Sequence, residues 1–233
     1  MSVTLETLQK QIDSGEDLSS IVRTMKALAA TSVRQYEKAA DSLDDYYHTV
    51  ELGLSVVLAD ENFNLVEPRG NPNRSTLILV FGSDHGLAGR FNEQIVTYAL
   101  EEYWQDPDNL LPERLLIDAI GEQVITRLEG TGAQLHRSFN VPTSISAITP
   151  FVQKLLENIE TMRREESIER VLLFYNRPHS GGYSPRAETM LPVSLAKLRE
   201  TRLDWQSRSL PTYSMATGNL LSSLLRQYFF VSL

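Results

Sequence analysis

The residues best suited to chemistry lie together in one segment, FGSDHGLAGRFN, at positions 81–92. Ser83, Asp84 and His85 are the residue types of a hydrolase triad, but a triad converges from separate segments, and the chain has no G-x-S-x-G motif. The three glycines follow the spacing G-x-x-x-G-x-x-G, which is neither the dinucleotide fingerprint nor the phosphate-binding loop. The segment therefore predicts a tight strand-to-helix turn in which Asp84 or Asn92 caps the helix, without catalysis.

The other polar residues and the composition also disfavour an enzyme. The 233 residues include no cysteine, and the four histidines lack a metal-ligand spacing such as H-E-x-x-H. Asp118 stands alone in a strand pattern, which predicts a local hydrogen bond. A net charge of −8 disfavours a nucleic-acid partner. We therefore expect no catalytic residue, no metal and no cofactor. The histidines are His48, His85, His136 and His179.

An α/β domain is predicted after the turn-rich linker EPRGNPNR at 67–74. Near-continuous apolar runs alternate with helical patterns, which is typical of a parallel sheet covered on both faces. The predicted strands lie at 76–82, 114–121, 133–139 and 170–176. The fold class is therefore α/β, with a Rossmann-like, mostly parallel sheet.

Two helical patterns and one edge strand complete this domain. The first helix runs from Phe91 to Tyr103. The second is an apolar stripe from Ile148 to Met162, which follows the cap candidates Thr143 and Ser144. After it, NRPHSGGYSP at 176–185 is predicted to be a loop. RAETMLPV at 186–193 is predicted to be an antiparallel edge strand, which tolerates proline.

The N-terminal region predicts one long coiled-coil helix from Thr4 to Leu58, about 80 Å at 1.5 Å per residue. Apolar residues repeat every seven positions, and the pattern slips near Ser14 and Gly15, where we expect a kink or overwinding. A stripe this long needs a partner helix, because it exceeds the width of the α/β domain. The central row of this seam is Val22, Ala29, Tyr36, Leu43 and Val50.

A second apolar helix is predicted from about Met215 to the last residue, Leu233. It has no terminal cap, and its length covers less than half of the first helix. We therefore expect the chain to be cut short, or its partner helix to belong to another molecule. The predicted domains are a shaft helix at 1–60, an α/β domain at 74–208 and a helix start at 212–233.

Three passages of the chain resemble the gamma subunit of F-type ATP synthases. They follow one another in the order found in that family and span almost the whole chain. The glycine segment keeps the skeleton S-D-x-G-L-x-G-x-F-N, which is highly specific. The acidic stretch SGEDLSS replaces a usually basic region and indicates the alternative F-type ATPase branch, some members of which move sodium. The passages are IVRTMKALAATSVRQYEKA, FGSDHGLAGRFN, and VLLFYNRP followed by AETMLPV.

This resemblance implies a central rotary shaft that couples ion-driven rotation to conformational change at catalytic beta subunits. The C-terminal helix would pair antiparallel with the first helix and continue beyond Leu233. The subunit itself would not be catalytic. Its implied partners are the alpha and beta subunits of the catalytic hexamer, the epsilon subunit and the c-subunit ring of the membrane rotor. Its implied place is the cytoplasmic face of a bacterial or archaeal plasma membrane, in a peripheral complex.

The resemblance also implies roles for particular residues. Met25 matches the family's methionine in the coupling region, and Arg23 and Lys26 beside it would contact the ring. The glycine segment would be structural or would touch a subunit, without binding nucleotide. Its matching residues are Ser83, Asp84, Gly86, Leu87, Gly89, Phe91 and Asn92.

Two other interpretations stay open from the sequence. One is a soluble α/β enzyme whose glycine segment binds a phosphate or nucleotide. The other is a coiled-coil scaffold that carries an α/β head and associates with itself through the heptad rows. Phosphate or nucleotide binding by the α/β domain would favour the first, and homodimerisation would favour the second.

Overall fold

A computed structural model describes residues 4–59, 75–105, 115–194, 198, 209 and 211–233. The chain divides into two compact units, Met1–Tyr46 and Tyr47–Leu233, and the boundary falls within the first helix. The predicted linker at 67–74 lies outside the described residues. The elements are α1 Leu5–Leu58, β1 Ser75–Phe81, α2 Phe91–Gln105, β2 Leu115–Ile120, α3 Glu122–Gly130, β3 Arg137–Phe139, α4 Ile145–Glu165, β4 Ile168–His179, β5 Gly182–Leu191 and α5 Thr217–Ser232.

The second unit contains a five-stranded sheet in the order β3-β2-β1-β4-β5. Strands β1 to β4 are parallel to one another, and β5 alone of these five runs antiparallel, beside β4. The central strand β1 is buried from Thr76 to Val80, because helices cover both of its faces. The predicted Rossmann-like, mostly parallel sheet is therefore confirmed.

Each face of this sheet packs against its own set of helices. On one face, Ile78 and Val80 contact an apolar cluster built from α2 and α3. On the other face, Leu77 and Leu79 join a cluster built from α4, with Phe229 of α5 against it. This alternation follows from the two-residue repeat of a strand.

Helix α4 confirms the predicted apolar stripe, since Leu155, Ile159 and Met162 are buried against the sheet and Val152 is also buried. Ser144 occupies the N-cap position as expected, but its hydroxyl makes no capping bond to the helix backbone.

The predicted loop at 176–185 is wrong. Strand β4 continues to His179 and β5 begins at Gly182, so that a two-residue turn at Ser180 and Gly181 joins them. Gly181 has φ 102°, a conformation that side chains disfavour. The apolar pattern ends early because β4 loses β1 as a neighbour after Phe174 and pairs with β5 alone among the described strands.

Strand β3 is shorter than predicted and covers three residues, 137–139, instead of 133–139. It pairs with β2 alone among the described strands, and two of its three residues are exposed. An edge strand this short receives little of the burial that stabilises the centre of the sheet.

The C-terminal part of α1 pairs with α5 inside the second unit. Tyr47 stacks beside Tyr228, with ring centroids 5.5 Å apart, and Gly53 lies against Leu224. Along α1, Tyr47 comes before Gly53, whereas their partners on α5 come in the reverse order, Tyr228 after Leu224. The two helices are therefore antiparallel, as predicted. The buried residues of this pair are Val50, Leu54, Val57, Leu58 and Leu221.

The first unit is the exposed part of α1. The helix continues through Ser14 and Gly15 without a break, so any change of register there occurs within a continuous helix. Its large apolar residues are exposed, and Val50, the one buried residue of the predicted central row, belongs to the second unit. The three predicted domain ranges stay a prediction, because the segments that would join them lie largely outside the described residues. The exposed large residues of the seam are Leu18, Val22, Met25, Tyr36, Leu43 and Tyr46.

Candidate functional site

The glycine segment follows β1 and precedes α2, at the carboxyl end of the central strand. The chain continues from β1 to β2 on one side, whereas β4 lies on the other side of β1. This is the topological switch point, where open α/β sheets usually bind ligands. The position alone would therefore favour a binding site, and the local geometry decides what the segment does.

Two glycines allow the chain after β1 to lie close to α3 and to the end of β2. A Cβ atom on Gly82 would lie 2.1 Å from Cγ2 of Val124, and one on Gly121 would lie 2.8 Å from the Ser83 nitrogen. Gly121 also has φ 104°. Glycine is required at both positions by packing within the domain. The connection from β1 to α2 spans nine residues, 82–90, and is therefore longer than the predicted tight turn.

The sequence led us to expect that Asp84 caps α2, but Asp84 caps a different helix. The backbone N–H of Glu122, at the start of α3, donates to its Oδ1 at 3.1 Å. The backbone N–H of Val141 donates to the same carboxylate, at 3.3 Å from Oδ1 and 3.2 Å from Oδ2. Asp84 therefore caps α3, where the helix dipole favours a negative charge. Distant segments supply both donors, so local spacing did not reveal them.

Asn92 does not cap α2 either, because it lies inside the helix and is buried. Its Oδ1 accepts from the Ser83 backbone N–H at 2.9 Å, and its Nδ2 donates to Ser83 Oγ at 2.9 Å. Ser83 Oγ in turn donates to the carbonyl oxygen of His85 at 3.0 Å. The Ser83 proton thus goes to a backbone carbonyl and not to an imidazole base, so the three adjacent residues do not form a triad.

The rest of the segment separates into a packed end and an exposed tip. The Phe91 ring contacts Tyr183 edge-on, with centroids 4.9 Å apart, and the Phe91 carbonyl accepts from Asn176 Nδ2 at 2.9 Å. Leu87 at the tip is 79% exposed, and Gly89 has φ 58°. Gly86 lies against the Gln123 side chain. The tip therefore presents one large apolar side chain on a firmly attached loop.

Asp118 has side-chain partners in the fold, although in the sequence it is an isolated polar residue within a strand pattern. It is 0% exposed, accepts from Asn158 Nδ2 at 2.7 Å, and lies 3.2 Å from Nδ1 of His136. Arg137 Nη1 donates to the side-chain oxygen Oδ1 of Asn158. Burial raises the pKa of Asp118, and the bonds from His136 and Asn158 oppose that rise. The predicted hydrogen bond exists, and it ties β2 to β3 and α4. The sequence signal for this hydrogen bond was Asn158, because it is a polar residue inside the apolar stripe of α4.

The described residues hold no cluster of three or more His, Asp or Glu side chains arranged for a metal. Of the four histidines, His136 bonds to Asp118 as above, and the ring of His179 lies 3.3 Å from the Ser180 carbonyl. Among the described helices, none is long and apolar enough to cross a membrane.

The predicted coupling residues Arg23, Met25 and Lys26 lie on α1 in the first unit and are exposed. Arg23 and Lys26 are three positions apart and so lie on the same side of the helix. Met25 belongs to the apolar seam with Val22. The glycine segment belongs to the second unit, so these two sets of predicted residues lie in different units.

The fold and these sites define a class of protein in which a Rossmann-like domain with a structural glycine loop carries a long helix with an exposed apolar seam. A model of the family described as ATP synthase matches residues 4–233. The ATP synthase gamma chain of Lactiplantibacillus plantarum is 23% identical, over 98% of this chain and 79% of that relative. The gamma chain of Thermobifida fusca is 24% identical, over 98% and 76%.

A solved structure has the same fold. It is the central stalk and c-ring of the Tetrahymena thermophila mitochondrial ATP synthase, which superposes with a TM-score of 0.61 at 19% identity. The alignment covers 91% of this chain and 88% of that one. The chain therefore belongs to the family of ATP synthase gamma chains, the central rotary shaft subunits.

Proposed function

We propose that this gamma chain transmits rotation of an ion-driven membrane rotor to the catalytic beta subunits and carries no catalytic residue itself. The family match over residues 4–233 carries the proposal. Two features support the absence of catalysis: the Ser83 hydroxyl donates to a backbone carbonyl, and Asp84 serves as a cap.

The physical basis of the mechanism is asymmetry. Three beta subunits that alternate with three alpha subunits form a ring whose catalytic sites are equivalent by symmetry. A single shaft presents a different surface to each beta subunit and makes the three sites unequal. Turning the shaft changes which site is open, so rotation alters nucleotide affinity through differential contacts.

The first unit is the part that we assign to the ring. Its apolar seam is exposed along residues 5–46, and a long exposed seam is typical of a helix that meets other protein surfaces. Arg23, Met25 and Lys26 would contact the ring in the coupling region, with the two cations beside the seam. A variant with both Arg23→Ala and Lys26→Ala should assemble normally and move fewer ions per ATP.

The second unit is the part that we assign to the rotor side. It would contact the epsilon subunit and the c-subunit ring, and the exposed tip at Leu87 would touch a neighbouring subunit. The complex would lie at the cytoplasmic face of a bacterial or archaeal plasma membrane, and the bacterial sources of the two relatives support this assignment. Membership of the alternative branch, indicated by SGEDLSS, stays a prediction.

Native mass spectrometry of the full reading frame, purified from its own cells, tests the assignment. We expect one copy of this chain bound to three alpha and three beta subunits, with epsilon and c subunits retained under mild conditions. A lone monomer or a homodimer would contradict it and would favour the enzyme or scaffold interpretation.

A further inference from the structure

Asp84 connects three segments of the chain at the carboxyl edge of the sheet. It belongs to the loop after β1, and its carboxylate accepts from Glu122 at the start of α3 and from Val141 in the loop before α4. These donors lie 38 and 57 positions away along the sequence. A single side chain therefore joins the three loops that follow β1, β2 and β3.

This connection uses backbone donors from two elements. One N–H is at the start of α3 and the other is two residues after β3, and they lie 3.1–3.3 Å from the carboxylate oxygens of Asp84. The N-cap residue of α3, Gly121, has no side chain that can accept from the helix. Asp84 supplies that acceptor from another segment and also gains from the positive end of the helix dipole.

The exposed tip follows Asp84 directly in the chain. Residues 85–90 are all exposed, and Leu87 is 79% exposed. The side chains of Ser83 and Asn92 secure the two ends of the segment to each other. The Ser83 backbone carbonyl also accepts from the Gln123 N–H of α3 at 3.0 Å, but it does not reach the loop before α4. Asp84 is the described side chain of this segment that bonds to both.

We propose that Asp84 is a positioning residue for rotary coupling: it holds the tip around Leu87 rigid, so that force at the tip passes directly into the sheet. This inference rests on the proposed shaft function. A loop that bends under load absorbs displacement, whereas a loop bonded to three segments transmits it. The role of Asp84 is mechanical and acts through the tip that it supports.

The experiment compares three variants of the full-length chain, each alone and in the purified complex. Asp84→Ala removes every bond of the carboxylate. Asp84→Asn keeps one side-chain carbonyl oxygen, which can still accept from Glu122 and Val141 at the Oδ1 position. Glu122→Ala is the matched control, since it removes one carboxylate at the same helix start and keeps the backbone N–H that Asp84 binds.

Two quantities are measured: amide hydrogen exchange, and the number of ions moved per ATP hydrolysed by the complex in vesicles. For Asp84→Ala we expect exchange at Glu122 and Val141 to rise at least about tenfold, as suits a lost bond to a charged group. We also expect ion movement per ATP to fall at least about twofold, because a loosened contact no longer transmits displacement fully. Asp84→Asn should recover part of both losses, and Glu122→Ala should show neither.

Loss of exchange protection with unchanged ion movement per ATP would overturn the positioning role and leave Asp84 with a purely structural one. Unchanged protection at both amides in Asp84→Ala would overturn the connection itself. If Asp84→Ala does not fold, Asp84→Asn decides between the same outcomes. Failure of the proposed function is distinguishable, because the unmodified chain would then fail to join the ring at all.

Discussion

The two units of this chain use apolar residues in opposite ways. In the second unit, the apolar residues of the sheet and its helices contact each other and are buried. In the first unit, large apolar residues recur at regular spacing along α1, yet they are exposed. A regular seam that the described residues leave uncovered indicates a further partner surface, as the coiled-coil pattern predicts.

The largest expected effect comes from making the exposed seam charged. Replacing Val22, Tyr36 and Leu43 with Asp should lower ATP-driven ion movement by the complex at least about tenfold, because unpaired charges at a buried contact are strongly unfavourable. Thermal unfolding of the second unit should not change, since these residues contribute nothing to its core.

A matched control keeps the seam apolar, with Val22→Ile, Tyr36→Phe and Leu43→Met. These changes should leave ion movement close to that of the unmodified complex. Normal coupled activity in the triple Asp variant would contradict the claim that the exposed seam of the first unit contacts another protein surface.

A second prediction uses one residue type in both parts of α1. Leu54 is 0% exposed within the pair with α5, whereas Leu28 is 67% exposed. Leu54→Ala should cost about 2–5 kcal/mol of unfolding free energy, and Leu28→Ala of the isolated chain should stay within about 0.5 kcal/mol. Denaturant unfolding measures both. Equal losses of unfolding free energy would mean that Leu28 also packs against other residues in the isolated chain.

A third prediction concerns the buried carboxylate of Asp118. Its pKa in the folded chain lies above the ordinary value of 3.8, chiefly because of burial. The folded chain therefore binds this proton more tightly than the unfolded chain does, so stability falls as pH rises from about 4 through the raised pKa. The difference in stability between the unmodified chain and Asp118→Asn should show this fall. A difference independent of pH across that window would contradict the assignment.

The smallest expected effect compares two glycines of α1. A Cβ atom at Gly15 meets nothing within 4 Å, whereas at Gly53 it lies 3.0 Å from Cδ2 of Leu224. Gly15→Ala should stabilise its part of the helix by about 0.5–1 kcal/mol, seen as slower local amide exchange. Gly53→Ala should show a smaller gain or a loss in thermal stability, because Leu224 must move. A larger gain at Gly53 would mean that the helices of this pair are not in close contact.

The sequence predicted most of the elements because their signals are local. The unbroken helix α1, the strand β1 and the stripe of α4 depend on the spacing of apolar residues within one segment. Errors occurred where neighbours change along an element. Strand β4 continues past Phe174 with β5 as its partner, and no apolar pattern marks that continuation.

The site was less predictable than the fold. The sequence located the connection between β1 and α2 but predicted a tighter turn than the nine residues observed. The adjacency of Ser83, Asp84 and His85 argued against a triad. The partners of Asp84 were not predictable, because Glu122 and Val141 reach it through backbone N–H groups, which any residue type supplies. Side-chain identity gives no signal for such a bond.

By itself, the amino-acid sequence determined the long amphipathic helix, the alternation of strands and helices, and the resemblance to the gamma-chain family, since each depends on residue types at short or fixed spacings. The tertiary structure alone decided that Asp84 caps α3, that Asp118 bonds to His136 and Asn158, and which part of the α1 seam is buried. These features depend on segments that are distant along the chain and meet only when the sheet forms, and their energies come from burial and backbone geometry that local patterns do not encode.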